Sequence, residues 1–599
     1  MRTSIATVCL SGGLVEKIHA CASAGFDGIE IMDADLVAAE ESPEEIRALC
    51  ARLGLEIDMF QPFRDVEGVD DATFAATLER AEAKFDVMRR LGTDLMLVCS
   101  NVATATIGDD AVAARQLGEL ADRAAAHGIR LAYEALAWGR FVSDYRDAWR
   151  VVRRADRPNL GVCLDSFHIL SRGHDARAIE EIPGDRILFV QLADAPALQM
   201  DVLSWSRHHR LFPGEGSFDL AGFLRHVEAA GYAGPISLEV FNDTFRQTDV
   251  VRTAAHARRS LTWLEDRAGS TATGAVPVPP QQLPTGTDFV EIGGADLERF
   301  DALLERCGFA FRGRHRSKPV RLWTAGDARI ILNEQVRDER PRLSAIGLEV
   351  PDADAAVERA QALGAPRAYR RTYAGEQELR AVASPDGTEV YWSSHRAEES
   401  WMTEFVGGGA EGSFAGVVDH VNLGFPWQEF DEAVLFAGSA LGLEAQAAED
   451  VPGPMGLVRS QVMRTPSGDV RIPINLAPPT APTPQRHVAV HCGDLVALAR
   501  AARARGLETL PVPDNYYDDL AARWGTSLDA DLLSDLRELG IFYDRDANGE
   551  FLHLYTPAVG DVFVELVERR GGYDGYGAVN APVRLAAQRR ATAATHALG

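Results

Sequence analysis

Four oxygen-bearing side chains close four successive apolar segments in the N-terminal part of the chain. Glu134, Asp165 and Gln191 are the last residues of IRLAYE, NLGVCLD and RILFVQ. Glu239 is the next-to-last residue of PISLEV. In a parallel α/β barrel the carboxyl ends of the strands meet at one mouth, so these side chains would converge there. Hard divalent cations prefer such oxygen ligands. The pattern predicts a site for Mg²⁺, Mn²⁺ or Co²⁺ that can stabilise the enolate of a bound ketone.

Strand and helix patterns alternate about eight times around these four residues, over residues 1–266. Several predicted helices begin at a capping residue, as at Ser42-Pro43, and several end at a glycine. Eight alternating units predict a (β/α)8 TIM barrel, because each helix returns the chain to the start of the next parallel strand. The barrel is therefore the element that must position the predicted metal ligands.

A change of composition separates the barrel from the rest of the chain. Residues 267–287 are rich in Pro, Gly, Thr and Ala without an apolar period, which predicts a linker. Short strands with few helices follow, in two halves of similar order, 288–410 and 411–599. This pattern predicts a duplicated α+β domain after the barrel.

Bulk composition narrows the partners and the compartment. The net charge of −27 argues against nucleic acid or an anionic membrane as a partner. The seven cysteines are scattered without CxxC spacing, which is typical of reduced thiols. We expect neither a signal peptide nor a transmembrane helix, and hence a cytoplasmic protein that acts on a small molecule. A homo-oligomer is compatible with the sequence.

The N-terminal segment resembles the sugar-phosphate isomerase and AP endonuclease 2 superfamily of barrels. The resemblance covers roughly the first 265 residues. The matching positions are Glu30 in GFDGIEI, Glu134 in YEAL, the segment DSFH at 165–168, Gln191, the loop HHR at 208–210 with PGEG at 213–216, and Glu239 in SLEVFND. The resemblance supports the four metal ligands and implies a substrate pocket at the same mouth.

The C-terminal half resembles 4-hydroxyphenylpyruvate dioxygenase, which has a vicinal-oxygen-chelate fold. The matching segments are VDHV at 418–421, RHVAV at 486–490, YDRD at 543–546 and FVEL at 563–566. The resemblance implies that His420, His487 and Glu565 hold a divalent metal, Fe(II) or Mg²⁺. His553 and Leu476 replace a glutamine and a glutamate of that family. We therefore expect a conserved metal cage beside an altered substrate pocket.

Taken together, the two halves resemble the bacterial two-domain 3-dehydroshikimate dehydratases of quinate and shikimate catabolism. This family resemblance implies a hydro-lyase that converts 3-dehydroshikimate to protocatechuate with a divalent metal. Two alternatives stay open for the second half, a structural module and a dioxygenase that makes the chain bifunctional. The alternative for the barrel is sugar isomerisation or epimerisation, since Glu134 and Glu239 could act as paired acid and base.

The resemblance also implies roles around the barrel mouth. Glu134 and Glu239 are expected to take part in catalysis. Some relatives carry a histidine where this chain has Leu136, so we expect His168, with its near-neutral intrinsic pKa, to act as the general base. Arg210 is expected to bind the substrate carboxylate through its guanidinium. The other residues predicted to contact substrate are His168, Arg64, Gln61, Asn101 and His208.

Overall fold

In the computed structural model the chain is described over residues 1–270, 276–394, 401–409, 412–477 and 485–597. It divides into two units, Met1–Val278 and Pro279–Gly599. The predicted linker at 267–287 spans this division, and its residues 271–275 lie outside the described residues. The predicted junction between the two halves, at 410–411, also lies outside them.

The first unit is a closed barrel of eight parallel strands in sequential order. The strands are β1 (Thr3–Ala6), β2 (Gly28–Met32), β3 (Glu56–Phe63), β4 (Leu95–Cys99), β5 (Arg130–Glu134), β6 (Leu160–Asp165), β7 (Ile187–Leu192) and β8 (Ile236–Leu238). Closure is shown by the pairing of β1 with both β2 and β8. The TIM-barrel fold predicted from the alternating pattern is confirmed, with a strand in each predicted segment.

Ten α-helices accompany these strands within the described part of the first unit. They are α1 (Leu14–Ala24), α2 (Asp33–Ala38), α3 (Pro43–Leu53), α4 (Asp71–Leu91), α5 (Asp110–Ala126), α6 (Tyr145–Ala155), α7 (Ser166–Leu170), α8 (Val202–His208), α9 (Leu220–Ala229) and α10 (Val250–Ala268). The N-cap predicted at Ser42 is present, and it forms a capping box in which Ser42 accepts from the Glu45 amide and Glu45 accepts from the Ser42 amide.

Two apolar clusters stabilise the barrel. The larger one packs the outer faces of the strands against the helices. The smaller one fills the barrel interior and includes Met59, Leu97, Ala132 and Phe189. Because apolar side chains close the interior, polar residues are left to gather at the carboxyl ends of the strands, where the predicted site residues lie.

The second unit contains two mixed sheets of corresponding order. The first half has β9 (Gly286–Gly293), β10 (Ala310–His315), β11 (Val320–Ala325), β12 (Ala328–Asn333), β13 (Arg342–Glu349), β14 (Arg367–Ala368), β15 (Arg380–Ala383), β16 (Glu389–Ser393) and β17 (Phe405–Gly407), with helices α11 (Glu298–Cys307) and α12 (Ala353–Ala362).

The second half repeats this arrangement with longer insertions. Its strands are β18 (Val417–Phe425), β19 (Glu444–Ala445), β20 (Glu449–Gly453), β21 (Gly456–Arg464), β22 (Arg471–Leu476), β23 (Arg486–His491), β24 (Phe542–Arg545), β25 (Gly549–Tyr555) and β26 (Val562–Gly571). Its helices are α13 (Phe430–Ser439), α14 (Leu495–Ala504), α15 (Asp514–Trp524), α16 (Ala530–Leu539) and α17 (Ala581–Ala597).

The central strands of the two sheets follow the same order, β15-β16-β13-β9-β12-β11 in one and β25-β26-β23-β18-β22-β21 in the other. This correspondence confirms the duplicated α+β architecture predicted from the sequence. No helix among the described residues is long and apolar enough to cross a membrane. All seven cysteines are buried and free.

We predict that residues 1–278 fold when expressed alone, because this segment includes all eight strands and a complete apolar core. The fragment should show one cooperative thermal transition by circular dichroism. A control fragment of residues 1–233 lacks β8 and α10, leaves two barrel edges unpaired, and should not fold. A non-cooperative transition in the 1–278 fragment would contradict the prediction.

Candidate active site and second metal centre

Three of the predicted residues meet at the barrel mouth. Glu134 is the last residue of β5 and Asp165 is the last residue of β6, while His168 lies in the first turn of α7. One ligand atom from each of the three side chains lies within 4.8 Å of the others. All three side chains are buried. The strand ends therefore converge as the barrel geometry predicts.

Glu239 joins this group through Arg210. Glu239 follows β8, and Arg210 lies in the loop after α8. Arg210 Nη1 donates to Asp165 Oδ2 at 2.8 Å and to Glu239 Oε2 at 3.1 Å. One buried guanidinium nitrogen thus links two carboxylates of the predicted metal site.

Gln191 and Gln61 surround another buried carboxylate, Glu30. Gln191 Nε2 donates to Glu30 Oε2 at 2.7 Å, and Gln61 Nε2 donates to the same oxygen at 2.8 Å. Because its amide nitrogen is held by Glu30, Gln191 turns its carbonyl oxygen away from Glu30, and this oxygen accepts from Cys163 Sγ at 3.4 Å. Gln61 also lies within hydrogen-bonding reach of Glu239. The Gln61 amide is therefore engaged with buried carboxylates, and the substrate contact predicted for Gln61 stays a prediction.

The donor set fits a divalent cation. Glu134 Oε1 is buried and has no hydrogen-bond partner. Burial, followed by the charges of Glu239 and Asp165, raises the pKa of Glu134 well above its usual range. Burial opposes charge on Asp165 as well, but Arg210 holds the pKa of this carboxyl below its usual value. The single charge of Arg210 does not neutralise the three carboxylates Glu134, Asp165 and Glu239. A cation bound at Glu134 would relieve the repulsion that remains between them.

His168 is held as a neutral ring. The Ala137 amide donates to Nδ1 at 3.2 Å, and Arg210 Nη2 lies 3.3 Å from Nε2. Burial lowers the pKa of His168 to about 3. The carboxylate oxygens Glu134 Oε1 and Asp165 Oδ2 each lie 3.6 Å from Nε2. A ring with so low a pKa is a weak base, which disfavours the general-base role predicted for His168.

Arg210 also differs from its predicted role. Besides the two carboxylates, it donates to the Glu239 carbonyl at 2.8 Å and to Ser206 Oγ from Nε at 3.1 Å and from Nη2 at 2.9 Å. The side chain is buried, with 1% of its surface exposed. With its donors already engaged, it cannot also clamp a substrate carboxylate. Arg210 instead balances the charge of Asp165 and Glu239.

Two half-buried arginines at the mouth have free guanidinium groups. In the part of the chain that the structure describes, neither Arg64 nor Arg207 has a side-chain hydrogen bond or ion pair. Burial, and then the nearby charge of Arg64, lower the pKa of Arg207. Arg207 also lies over the Phe241 ring at 4.8 Å. The sequence reasoning identified Arg64 and missed Arg207, whose only signal was its position three residues before Arg210.

Asn101 and His208 lie apart from the cage. Asn101 uses its side chain within its own loop, donating to the Glu67 carbonyl at 3.0 Å and accepting from the Thr104 and Ala105 amides at 3.1 Å. His208 is exposed and contacts Asp243 at 3.0 Å. The substrate contacts predicted for these two residues are therefore not supported, because Asn101 is engaged with Glu67 and its own loop and His208 is engaged with Asp243.

The second unit has its own cluster of metal-ligand type. His420 Nε2, His487 Nε2 and Glu565 Oε2 lie 3.0 to 3.2 Å from one another. They come from the adjacent strands β18, β23 and β26. All three side chains are buried, and Glu565 Oε2 has no other partner. Two imidazoles and one carboxylate at this spacing fit a divalent metal with open coordination positions.

Neighbouring groups fix the orientation of these ligands. Asp419 Oδ1 lies 2.8 Å from His420 Nδ1 and is itself held by Arg569. His420 therefore donates from Nδ1 and turns Nε2 towards the metal position. Asn580 donates to His553 Nε2 at 3.0 Å, so His553 Nδ1 donates to Glu565 Oε1 at 2.9 Å. Asp419, which directly precedes the first ligand, is a positioning residue that the sequence reasoning missed.

A cavity of about 330 Å³ opens onto this cluster. Its polar lining includes Asn422, Ser460, Asn475, Tyr576 and Arg584. Neither His553 nor Leu476 lines it, so the two family departures do not shape the cavity wall directly. His553 contacts Oε1 of Glu565, whereas His420 and His487 face Oε2 of the same carboxylate.

Known protein families match segments of both structural units. Residues 18–267 match the family described as xylose isomerase-like TIM barrel, and residues 282–402 match hydroxyphenylpyruvate dioxygenase, N-terminal. The chain is 45% identical to a 3-dehydroshikimate dehydratase of Pseudomonas aeruginosa over 99% of both chains. It is 42% identical to a 3-dehydroshikimate dehydratase of Pseudomonas putida, over 99% of this chain and 98% of that one.

A solved structure has the same arrangement of units. It is described as a xylose isomerase-like TIM barrel/4-hydroxyphenylpyruvate dioxygenase fusion protein, with a TM-score of 0.88 and 41% identity over 99% of each chain. The fold and the two clusters thus define a metal-site barrel fused to a dioxygenase-like domain. The chain belongs to the family of two-domain 3-dehydroshikimate dehydratases, which are hydro-lyases. The family resemblance stated from the sequence is confirmed.

Proposed function

We propose that the barrel converts 3-dehydroshikimate to protocatechuate. The observation that carries this proposal is the buried cage of Glu134, Asp165 and Glu239, with an unpartnered Glu134 oxygen, in a chain 45% identical to a 3-dehydroshikimate dehydratase. A proton leaves the carbon beside the ketone, the β C–O bond breaks, and water departs. Tautomerisation then gives the aromatic ring, which makes the reaction effectively irreversible.

The ligands of the proposed metal are Glu134, Asp165, Glu239 and the Gln191 carbonyl oxygen. A bound Mg²⁺, Mn²⁺ or Co²⁺ would supply electrophilic stabilisation of the enolate oxygen. Arg210 holds Asp165 and Glu239 together from the protein side. The neutral His168 contributes a ring fixed between Ala137 and Arg210, and it orients the site without changing protonation state.

Glu134 is the residue we assign to proton transfer. Its Oε1 has no hydrogen-bond partner among the described residues, so it can accept a proton from a substrate held beside it. The proton taken from carbon is then available to the departing hydroxyl, so that one residue can serve both halves of the elimination.

Arg64 and Arg207 are the residues we assign to the substrate carboxylate. Both are half-buried at the mouth, and both respond to the charge of Glu239. Their charges repel each other in the absence of an anion, and a carboxylate between them would remove this repulsion. Arg207 thus takes the role that the sequence had assigned to Arg210.

The wider setting follows from the proposed reaction. Its product is an aromatic acid, which favours a role in quinate and shikimate catabolism. The buried free cysteines support a cytoplasmic location, where thiols stay reduced. We also propose domain limits of 1–266 for the catalytic barrel and 288–410 and 411–599 for the two later halves.

We predict that Glu134→Gln lowers kcat by about 1,000-fold, since an amide retains a ligand oxygen but cannot accept a proton. Protocatechuate formation from 3-dehydroshikimate should be followed by ultraviolet absorbance, alongside the metal content of the purified variant. Glu44→Gln, on the exposed surface of α3, serves as the control. Recovery of full activity by Glu134→Gln in excess metal would show that Glu134 is a ligand and not the base.

We predict that Arg64→Met and Arg207→Met each raise KM by about 10- to 100-fold, as expected for loss of a charge-assisted hydrogen bond. A carboxylate far from the breaking bonds is held equally in ground and transition states, so kcat should change less. Arg225→Met, on the exposed side of α9, is the matched control. Unchanged KM in both mouth variants would refute the assignment, as would a selective loss of kcat.

The second candidate function is an additional activity of the second unit. The 330 Å³ cavity beside the cluster of His420, His487 and Glu565 favours it. We propose that His420, His487 and Glu565 hold Fe(II) or Mg²⁺. Because His553 and Leu476 depart from the dioxygenase pattern, we propose little or no turnover of 4-hydroxyphenylpyruvate.

We predict that His420→Ala combined with His487→Ala removes one metal per chain and leaves dehydration within about two-fold of wild type, because no proposed barrel ligand is altered. Metal analysis and the ultraviolet assay measure the two effects. The Fe(II)-loaded wild type should give no homogentisate from 4-hydroxyphenylpyruvate. Oxygen uptake with that substrate, abolished by the double substitution, would establish a bifunctional enzyme instead.

A further inference from the structure

The metal-type cluster of the second half occupies a defined register in its sheet. His420 in β18 pairs with Ala489 in β23. The same Ala489 pairs on its other side with Glu565 in β26. Two of the three ligands therefore flank one alanine of the central strand.

The first half has the same register with different residues. Glu291 in β9 pairs with Ala345 in β13, and Ala345 pairs on its other side with Glu389 in β16. The order β9-β13-β16 corresponds to β18-β23-β26. By strand pairing, Glu291 thus stands where the second half has His420, and Glu389 stands where it has Glu565.

A side chain of the first half bridges these two carboxylates. Arg370 Nη1 lies 2.6 Å from Glu291 Oε2, and Arg370 Nε lies 2.6 Å from Glu389 Oε2. Ser344, in the bulge of β13, donates to Glu291 Oε1 at 2.7 Å, and Asn333 donates to Glu291 Oε2 at 3.1 Å. Glu291 is 4% exposed, so its charge needs a partner inside the protein.

We propose that the first half contains a latent divalent-cation site, in which the guanidinium of Arg370 occupies the position that a metal ion takes in the second half. Two carboxylates on neighbouring strands require positive charge between them in either half. A guanidinium supplies that charge and binds both carboxylates, but it offers no coordination position to a substrate. This register position of the first half is thereby closed to metal chemistry, while the corresponding position of the second half keeps this capacity.

The residues around Arg370 define the cation that could replace it. Glu291, Glu389 and Ser344 present only oxygen atoms, and the Tyr391 hydroxyl, which donates to Glu389 Oε2 at 2.7 Å, adds another. Such a set suits Mn²⁺ or Mg²⁺ better than a soft metal. Removal of the guanidinium should therefore expose a site for a hard divalent cation that the wild-type chain does not use.

The test is Arg370→Ala in the full-length protein, with Mn²⁺ as the probe. Without added metal, the melting temperature should fall by about 5–10 °C, as expected when one partner of a buried ion pair is lost. Added Mn²⁺ should restore most of this loss. After gel filtration, the variant should carry one equivalent of Mn²⁺ more than the wild type.

Two further variants make the result specific. Arg367→Ala alters an exposed arginine of the same segment, which contacts Glu378 at 3.4 Å, and it should change neither melting temperature nor metal content. Glu291→Gln combined with Arg370→Ala should lose the additional Mn²⁺. The proposal is overturned if Arg370→Ala binds no additional Mn²⁺, if it cannot be recovered folded even with Mn²⁺ present, or if the extra ion persists after Glu291→Gln.

Discussion

The mutual repulsion of buried carboxylates at the barrel mouth is the constraint on which the site depends. Glu134, Asp165, Glu239 and Glu30 lie close together and are each at most 4% exposed. Burial raises the pKa of Glu30 well above its usual range, and the neighbouring charge of Glu239 adds to this effect. Arg210 offsets part of the repulsion, and removing one partner of such a buried pair typically costs about 3–5 kcal/mol. The proposed metal cation would offset the negative charge of these carboxylates that Arg210 leaves unbalanced.

The same physical requirement is met differently in the two halves of the second unit. In one half, two imidazoles and Glu565 form a cluster suited to a metal ion. In the other, Arg370 joins the carboxylates that stand in the corresponding register. A metal ion leaves coordination positions for a ligand, whereas a guanidinium leaves none. One duplicated framework therefore provides both an open site and a closed structural bridge.

Sequence patterns predicted the strand ends well, because a strand fixes its own direction and its alternating faces. Glu134, Asp165 and Glu239 converge because all parallel strands of a barrel end at one mouth. The cluster of His420, His487 and Glu565 follows for a similar reason, since each residue lies within a strand of one sheet. Helices α15 and α16 were not predicted, although the leucines at 532, 533, 536 and 539 recur with a helical period in α16.

Residues in loops were predicted less well, because periodicity does not specify where a loop turns its side chains. Arg210, in the loop after α8, binds Asp165 and Glu239, whereas Arg207, three residues earlier in the last turn of α8, lies over the Phe241 ring. Asn101 follows β4 directly, but its amide group is used to close its own loop. The neutrality of His168 follows mainly from its burial, which lowers its pKa and which no local sequence pattern specifies.

Metal titration of a full-length variant in which only the barrel site is left to bind metal tests the central claim most directly. The His420→Ala/His487→Ala variant, stripped of metal by chelation, isolates the barrel site from the second cluster. Mn²⁺ is added in steps while protocatechuate formation from 3-dehydroshikimate is recorded by ultraviolet absorbance. Without added Mn²⁺ the variant should form no protocatechuate. The rate should then rise linearly with added Mn²⁺ and level off at one ion per chain. Full activity in the stripped variant, with metal absence verified by elemental analysis, would contradict it.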